Sequence, residues 1–316
     1  MLWYIIKRIT WLFLVLFLIV TLLYITTKTL MVMQYFPKMK VWDIVKQMIP
    51  PYKEYIKGII KSWDFGKTQR GIDAWDTLMF KAKITLKLNL ISFFVYVPVG
   101  VFLGIVSAVR KNKFIDHFIS MFTLVFSSIP SFVLAFAMIL FFGYELGWLP
   151  PLYPVIAYTF RDRLLGFVIP VFALSIGPIA TFTRLVKGEL LETFGQDYLL
   201  LARTKGLNQR QVIFRHALRN SAVAVMPELS TVFIAVLTGS FFIEIIYNVQ
   251  GVANLFLESL FKPVLDFNQV FIDTNTVVAI GFFYSAMALV ISLVSDLLYA
   301  VIDPRMKIGR KRVTND

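Results

Sequence analysis

The chain has 316 residues, of which 58% are hydrophobic and 16% are charged. A soluble domain would be near half apolar and about a quarter charged. The composition therefore excludes a soluble enzyme, a disordered chain and a collagen-like repeat, and it indicates an integral membrane protein. The net charge of +13 is explained by basic residues that cluster at membrane edges, so no nucleic-acid partner is expected. With no cysteine and two distant histidines, neither disulfides nor a His-rich metal site are expected.

Six apolar stretches are long enough to cross a membrane as helices. Prolines 98, 130, 170 and 178 fall inside these stretches, and we interpret them mainly as packing kinks. The pattern predicts an all-α bundle and not a barrel, with both termini on the same side. The stretches are 9–33, 88–109, 114–142, 165–186, 223–247 and 276–302.

The distribution of basic residues favours a cytoplasmic N-terminus. Residues 184–219, between the fourth and fifth stretches, hold seven of them. The external loop 34–87 breaks the rule with eleven more, but a loop approaching about 60 residues translocates largely regardless of charge. Because this loop mixes lysine with tryptophan and tyrosine, two interpretations stay open: helices lying in the headgroup layer, or a docking surface for another protein.

The polar segment 189–220 predicts a helix, a turn and a second helix. Three- and four-residue spacing separates Tyr198, Leu201, Ala202 and Lys205, which predicts an amphipathic helix. Gly206 follows as a helix stop and Asn208 as the cap of the next helix. Such a projection suits docking into a groove on a cytoplasmic partner, and a solvated connecting loop is the alternative.

Ionisable residues are rare within the predicted spans, where charge is costly and often functional. Arg184, Glu228, Glu244 and Asp296 lie in or beside them. Most of these lie near a predicted interface, so we expect capping or snorkelling roles. Glu244 is the candidate for a substrate contact, because the preceding Thr238, Gly239 and Ser240 form a small polar stretch that could line a cavity.

Seven short motifs in a fixed order give the chain a family resemblance. The strongest are D-Y-L-L-L-A-R-T-K-G-L at 197–207 and R-H-A-L-R-N at 215–220. The others lie at 64–66, 128–134, 146–150, 238–244 and 299–305. Together they resemble the membrane-spanning permease subunits of binding-protein-dependent ABC importers, and more closely the B-type permease of the dipeptide, oligopeptide and nickel branch.

The resemblance implies an all-α integral membrane protein of the bacterial plasma membrane, with six transmembrane helices and the type I permease fold of ABC importers. It also implies a domain order. Residues 1–33 would be the N-terminus and first helix, and 34–87 an external loop with interfacial helices. Residues 88–308 would be the core permease domain, with a cytoplasmic coupling loop at 187–220, and 309–316 a basic cytoplasmic tail.

The resemblance further implies a non-catalytic subunit for peptide import, forming half of a pathway in the lipid bilayer. Its partners would be a second homologous permease, two ATP-binding subunits and an extracellular or periplasmic substrate-binding protein. The chain lacks the G-x-x-x-x-G-K-[ST] phosphate loop, so ATP and Mg would be bound by the partners, and no catalytic, cofactor or metal residue is expected here.

Two sets of residues carry the implied roles. The ATPase-coupling loop would use Asp197, Tyr198, Ala202, Arg203, Lys205, Gly206, Leu207, Arg215, His216 and Asn220. The candidate pathway residues are Ser128, Pro130, Ser131, Phe132, Thr238, Gly239, Ser240 and Glu244.

Four alternatives stay open from the sequence. The first is an importer of the same kind whose substrate is nickel or a metallophore instead of a peptide. An ATP-independent secondary transporter would show internal inverted repeats and midplane charges. An intramembrane enzyme would need convergent acid, base or metal residues. A homomeric channel would not need the docking segment.

Overall fold

A computed structural model describes residues 2–154, 156, 159–260, 262–263 and 270–302, without the side chains of 2–5, 219–220, 222–224, 262–263, 270–271 and 299–302. The predicted tail 309–316 and the end of the 299–305 motif lie outside these residues. The helices are α1 (Leu2–Tyr35), α2 (Val41–Ser62), α3 (Ala74–Val109), α4 (Phe114–Ser128), α5 (Ser131–Met138), α6 (Phe160–Phe194), α7 (Asp197–Thr204), α8 (Gln209–Gln211), α9 (Leu218–Ile246), α10 (Val252–Leu260) and α11 (Thr274–Ile302).

Four short elements complete the described architecture. Two π-helical stretches, Ile139–Glu145 and Val212–Ala217, continue α5 and lead into α9 respectively. Strands β1 (Lys262–Pro263) and β2 (Val270–Phe271) pair antiparallel, with Lys262 opposite Phe271. The prediction of an all-α membrane protein is confirmed, because the pair of two-residue strands is a minor addition.

Five helices of the described chain are long and apolar enough to cross a membrane. They are Ile6–Tyr35, Ala74–Val109, Phe160–Phe194, Val225–Ile246 and Thr274–Leu298. Each contains one of the predicted stretches or most of it. The remaining stretch, 114–142, corresponds to two helices, Phe114–Ser128 and Ser131–Glu145, bent by 98°. Counting this pair as one broken span gives the predicted six.

The prediction that Pro130 kinks one continuous helix was wrong. Ile129 is extended, at φ −93° and ψ 121°, and Pro130 is extended as well, at φ −58° and ψ 139°. The proline ring disfavours the helical region for the preceding residue, and the missing N–H removes a hydrogen bond. In contrast, Pro98, Pro170 and Pro178 lie inside continuous helices.

The chain divides into two compact units. The first takes in the chain up to Thr85 together with Gln250–Val290, and the second takes in Leu86–Val249 and the end of α11. Helix α3 begins at Ala74, so the last part of the predicted external loop forms the first turns of a spanning helix.

In the first unit, α2 packs along α1 through tyrosines. The hydroxyls of Thr21 and Tyr52 lie 2.5 Å apart, and the Tyr24 ring lies 4.8 Å from that of Tyr55. Farther along α1, the Thr29 hydroxyl contacts the Met48 sulfur at 3.8 Å. The two helices therefore run antiparallel. Whether the 34–87 loop also meets headgroups or another protein stays a prediction.

Beside this pair, four aromatic rings form a cluster around Phe65, which is fully buried. Phe65 stacks on Trp75 at 5.1 Å and lies 5.2 Å from Phe282. Trp63 meets all three others edge-on at 5.3 to 5.8 Å. The cluster fixes the turn between α2 and α3 against α11, because Trp63 and Phe65 lie in the turn, Trp75 in α3 and Phe282 in α11.

In the second unit, α6 is the central helix, packed by α4, α5 and α9. Helix α3 approaches it closely through two glycines one turn apart. A Cβ built at Gly100 would lie 2.6 Å from the Cβ of Phe182, and one at Gly104 would lie 2.7 Å from the Cβ of Val186. Small residues at i and i+4 allow this approach of two membrane helices.

A buried ion pair joins α4 to α6. Lys187 Nζ lies 2.5 Å from Asp116 Oδ1 and 2.9 Å from Ser120 Oγ. The same carboxylate accepts hydrogen bonds from the Ser107 hydroxyl and from the Asn112 backbone N–H, the latter at 3.0 Å. The pair thus holds the α3–α4 turn against α6, about two turns before that helix ends at Phe194.

Candidate functional site

The polar segment after α6 forms the predicted helix, turn and second helix. Helix α7 buries Leu199 and Ala202 on one face. Gly206 follows with a positive φ of 80°, and its N–H donates to the Arg203 carbonyl at 3.0 Å. Glycine adopts this left-handed conformation without steric cost, which explains why the helix ends here.

Asn208 begins the next helix, as predicted. Its side-chain oxygen accepts from the Gln211 N–H at 2.9 Å, and the Gln211 side chain accepts from the Asn208 N–H at 3.0 Å. This reciprocal capping box satisfies two N–H groups that the first turn leaves open. The π-helical stretch Val212–Ala217 then buries Val212 and Ile213 and continues into α9.

Apolar side chains face outward from this segment. Leu200, Leu201 and Phe214 are each more than half exposed, and Tyr198 is exposed as well. The exposed Arg203, Lys205 and Arg215 lie close to them in the chain. Exposed apolar side chains rimmed by charges are typical of surfaces that interact with another protein or with a membrane. We call the exposed face of residues 197–215 the polar projection.

A cavity of about 430 Å³ lies behind the polar projection. Arg203 and Gln209 line it from the projection, and Lys111 lines it from the α3–α4 turn. The other lining residues are mostly apolar and belong to the ends of α3 and α6 and to the start of the π-helical stretch: Ala108, Val109, Leu191, Phe194, Gly195, Val212 and Ile213.

The residues predicted for ATPase coupling include both exposed and buried side chains of this segment. Asp197, Tyr198, Arg203, Lys205, Gly206 and Arg215 are exposed, Leu207 and His216 are half-buried, and Ala202 is buried. The side chain of Asn220 lies outside the described residues. The structure brings these residues into one local element, and their coupling role stays a prediction.

A second cavity, of about 350 Å³, lies between the spanning helices of the same unit. Helices α6 and α9 supply most of its walls, with the ends of α4 and α5 at its edge. We call it the central cleft. Hydroxyl groups, two glycines and two charged residues line it among apolar side chains: Ser127, Ser131, Leu174, Gly177, Pro178, Thr181, Arg184, Glu228, Thr231, Val232, Ala235, Val236 and Gly239.

Of the predicted pathway residues, Ser131 and Gly239 line the central cleft. Ser128, Pro130 and Phe132 are exposed around the α4–α5 break, and Thr238 is exposed with its hydroxyl bonded to the Ile234 carbonyl. Ser240 and Glu244 lie on another face of α9 and are fully buried. Ser240 accepts from the Asn89 amide at 3.0 Å, so this face packs against α3.

Sequence reasoning did not place Arg184 and Glu228 in a cavity. Both line the central cleft, and Arg184 Nη1 donates to Ser127 Oγ at 3.1 Å. The signal that could have found them was their charge within apolar stretches. A residue in such a stretch faces lipid, another helix or a cavity. Gly177 and Arg184 lie about two turns apart, so these two residues share one face of α6.

Comparison with known proteins agrees with these features. Residues 100–308 match a family described as the binding-protein-dependent transport system inner membrane component. The dipeptide transport system permease protein DppB of Bacillus subtilis is 32% identical over 84% of this chain and 81% of that protein. The oligopeptide transport system permease protein OppB of Salmonella typhimurium is 30% identical over 81% of this chain and 79% of that protein.

One solved structure, of the MetNI methionine ABC transporter in inward-facing conformations, matches with a TM-score of 0.49 and 17% identity. The match covers 73% of this chain and 94% of that chain. The family match spans well over half of the chain, and helices of this chain are long and apolar enough to cross a membrane. The chain therefore belongs to the inner membrane components of binding-protein-dependent transport systems.

Proposed function

We propose that this chain forms one half of the translocation pathway of an ATP-driven importer for oligopeptides or dipeptides. The polar projection is the observation that carries the proposal, because it presents apolar side chains to solvent on a short, capped and internally bonded element. Burial in the hydrocarbon core does not account for Leu200, Leu201 and Phe214, since exposed charged residues lie among them. A groove on a cytoplasmic ATPase would cover them.

The division of labour follows from what the chain contains. It has no phosphate loop, so ATP and Mg would bind to two partner subunits, which drive the change in the pathway through the polar projection. A second, homologous permease would supply the other half of the pathway. An external substrate-binding protein would deliver the peptide, and the N-terminus would be cytoplasmic.

The central cleft supports the assignment of the pathway. Its polar walls lie on helices that are long and apolar enough to cross a membrane. Hydroxyls and main-chain groups beside glycines suit a substrate made of amide bonds, and its volume of about 350 Å³ falls within the range of small-molecule sites. The similarity to dipeptide and oligopeptide permeases favours a peptide substrate over a nickel chelate or a metallophore.

Site-specific cross-linking tests the docking assignment, because the chain has no native cysteine. Leu200→Cys and Phe214→Cys place single thiols on the polar projection, and Ile60→Cys places one at the 77% exposed Ile60 of α2. In the purified complex, we expect a short thiol–amine linker to join positions 200 and 214 to an ATP-binding subunit and to leave position 60 unjoined. Cross-linking of position 60 alone would refute the assignment.

A further inference from the structure

The central cleft contains one cation and one anion. Arg184 belongs to α6 and Glu228 to α9, and both line the same cavity. Both lie inside helices that are long and apolar enough to span the membrane. Charges at such positions are costly in a bilayer, so they face cavities and mark substrate or ion pathways.

The two charges face the same cavity from helices that pack on each other. Arg184 lies on α6 and Glu228 on α9, and these two helices are in contact. A ligand in the cleft therefore meets both groups.

The surroundings leave room for a chain of amide groups. A Cβ built at Gly177 would meet nothing within 4 Å, and one at Gly239 would meet only the Ser131 hydroxyl, at 3.9 Å. The backbone of both helices is thus accessible from the cleft. The hydroxyls of Ser131, Thr181 and Thr231 also line it, and hydroxyls both donate and accept hydrogen bonds.

We propose that Arg184 and Glu228 determine specificity by binding the two free termini of a zwitterionic peptide. The Arg184 guanidinium binds the terminal carboxylate, and the Glu228 carboxylate binds the terminal ammonium. This inference rests on the proposed function, because it assigns the substrate chemistry of the same pathway.

The geometry around Arg184 supports the carboxylate role. A guanidinium has five N–H donors in a planar fork, and one of them donates to Ser127. This bond holds the side chain toward the edge of the cleft and leaves the fork able to bind a carboxylate with two parallel bonds. The opposite charge at Glu228 gives the site no net charge, which matches a peptide with one carboxylate and one ammonium.

The test uses uptake ratios in the complete complex reconstituted with its own binding protein. Three substrates are compared: a free peptide, its C-terminal amide and its N-acetyl derivative. In wild type, we expect the free peptide to be taken up fastest. Arg184→Gln lowers the ratio of free to amidated peptide about tenfold and leaves the ratio of free to acetylated peptide unchanged. Glu228→Gln does the reverse.

Three features keep the test decisive. The binding protein is the same in every arm, so its own preference cancels when variants are compared with wild type. A ratio does not depend on how much complex assembles. Arg184→Lys, which keeps the charge but not the planar fork, loses less of the discrimination against the amide than Arg184→Gln does. Arg161→Gln and Glu145→Gln remove exposed charges outside the cleft and leave both ratios at the wild-type value.

The outcomes separate the two proposals. Peptide uptake by wild type with ratios that stay unchanged in Arg184→Gln and Glu228→Gln overturns the terminus-binding role and leaves the proposed function standing. Equal changes of both ratios in both variants also overturn it, because they indicate a general disturbance of the cleft. Absence of ATP-driven uptake of any of the three peptides by wild type contradicts the proposed function itself.

Discussion

Lys187 Nζ and Asp116 Oδ1 lie 2.5 Å apart and connect α6 to α4 within the membrane-spanning part of the chain. Asp116 is nearly fully buried, while Lys187 retains about a quarter of its exposure. The carboxylate also accepts from Ser107 and from the Asn112 N–H. This network holds α6 against the α3–α4 turn, so loss of one partner should lower stability.

Lys187→Met removes the cation and leaves the Asp116 carboxylate buried without it. Removing one partner of a buried ion pair typically costs 3–5 kcal/mol, and we expect about 3 kcal/mol here because Lys187 is partly exposed. Lys57→Met removes the cation of the exposed Lys57–Glu54 pair, for which about 0–1 kcal/mol is expected. Thermal unfolding of the detergent-solubilised complex measures both. Equal shifts in Tm would show that the buried pair contributes no more to stability than the exposed pair.

Gly104→Val tests the close approach of α3 and α6. The added Cβ would lie 2.7 Å from the Val186 Cβ and 3.0 Å from the Thr183 carbonyl. The helices must then separate, at an expected cost of about 1–3 kcal/mol. Gly188→Ala is the matched control, since a Cβ there meets nothing within 4 Å and alanine favours helix by up to about 1 kcal/mol. A lower Tm in the control than in Gly104→Val would contradict the packing.

Phe65→Ala tests the aromatic cluster of the first unit. Phe65 is fully buried between Trp75 and Phe282, and deletion of a buried phenylalanine side chain typically costs 3–5 kcal/mol. Trp42→Ala removes an aromatic side chain that is 66% exposed and should cost far less. Limited proteolysis between α2 and α3 provides the readout. Unchanged cleavage in Phe65→Ala would show that the cluster does not hold this turn.

Gly206→Pro tests the turn of the polar projection. Proline fixes φ near −65° and lacks an N–H, whereas Gly206 has φ 80° and donates to Arg203. We expect normal insertion and assembly, with ATP hydrolysis no longer coupled to uptake. Gly206→Asn should retain coupling, because asparagine tolerates the left-handed region.

Gly71→Pro is the matched control for this defect. Gly71 has φ 77°, and its N–H donates to the Thr68 carbonyl at 2.9 Å. The same substitution therefore causes the same local damage in the other unit. Simultaneous measurement of uptake and ATPase activity distinguishes the two positions. Wild-type coupling in Gly206→Pro, or equal uncoupling in Gly71→Pro, would refute the role of the turn.

Local signals in the sequence were sufficient for much of this architecture. Long apolar runs predicted the spans, and Gly206 with Asn208 predicted the helix stop and the following cap, because both depend on neighbouring residues alone. Pro130 was less predictable. Prolines 98, 170 and 178 remain inside helices, whereas the helix breaks by 98° at Pro130. The side chains that pack around a proline decide between these outcomes, and they belong to distant parts of the chain.

The candidate site was predictable only in part. Ser131 and Gly239 line the central cleft, and their pathway role stays a prediction. Ser240 and Glu244 lie on another face of α9 and are fully buried, and Ser240 bonds to Asn89 of α3. Helical spacing separates faces, yet it does not say which face meets a cavity. Arg184 and Glu228 meet there because α6 packs against α9, a contact that no local pattern specifies.

Glu244→Gln addresses the remaining pathway prediction. Glu244 is fully buried and is not among the residues that line the central cleft within the described chain. We expect peptide affinity for uptake to stay within about twofold of wild type, while thermal stability falls. Glu228→Gln, on the cleft wall, is the companion variant. A change in apparent affinity for Glu244→Gln with unaltered Tm would give this residue a substrate role after all.

The most direct measurement of the central claim is peptide accumulation in proteoliposomes that contain the complete complex. We predict uptake of a labelled peptide that requires ATP on the ATPase side, requires the binding protein on the other side and disappears when this chain is omitted. Uptake driven by a proton gradient without ATP, or ATP-driven uptake of nickel chelates with none of peptides, would contradict it.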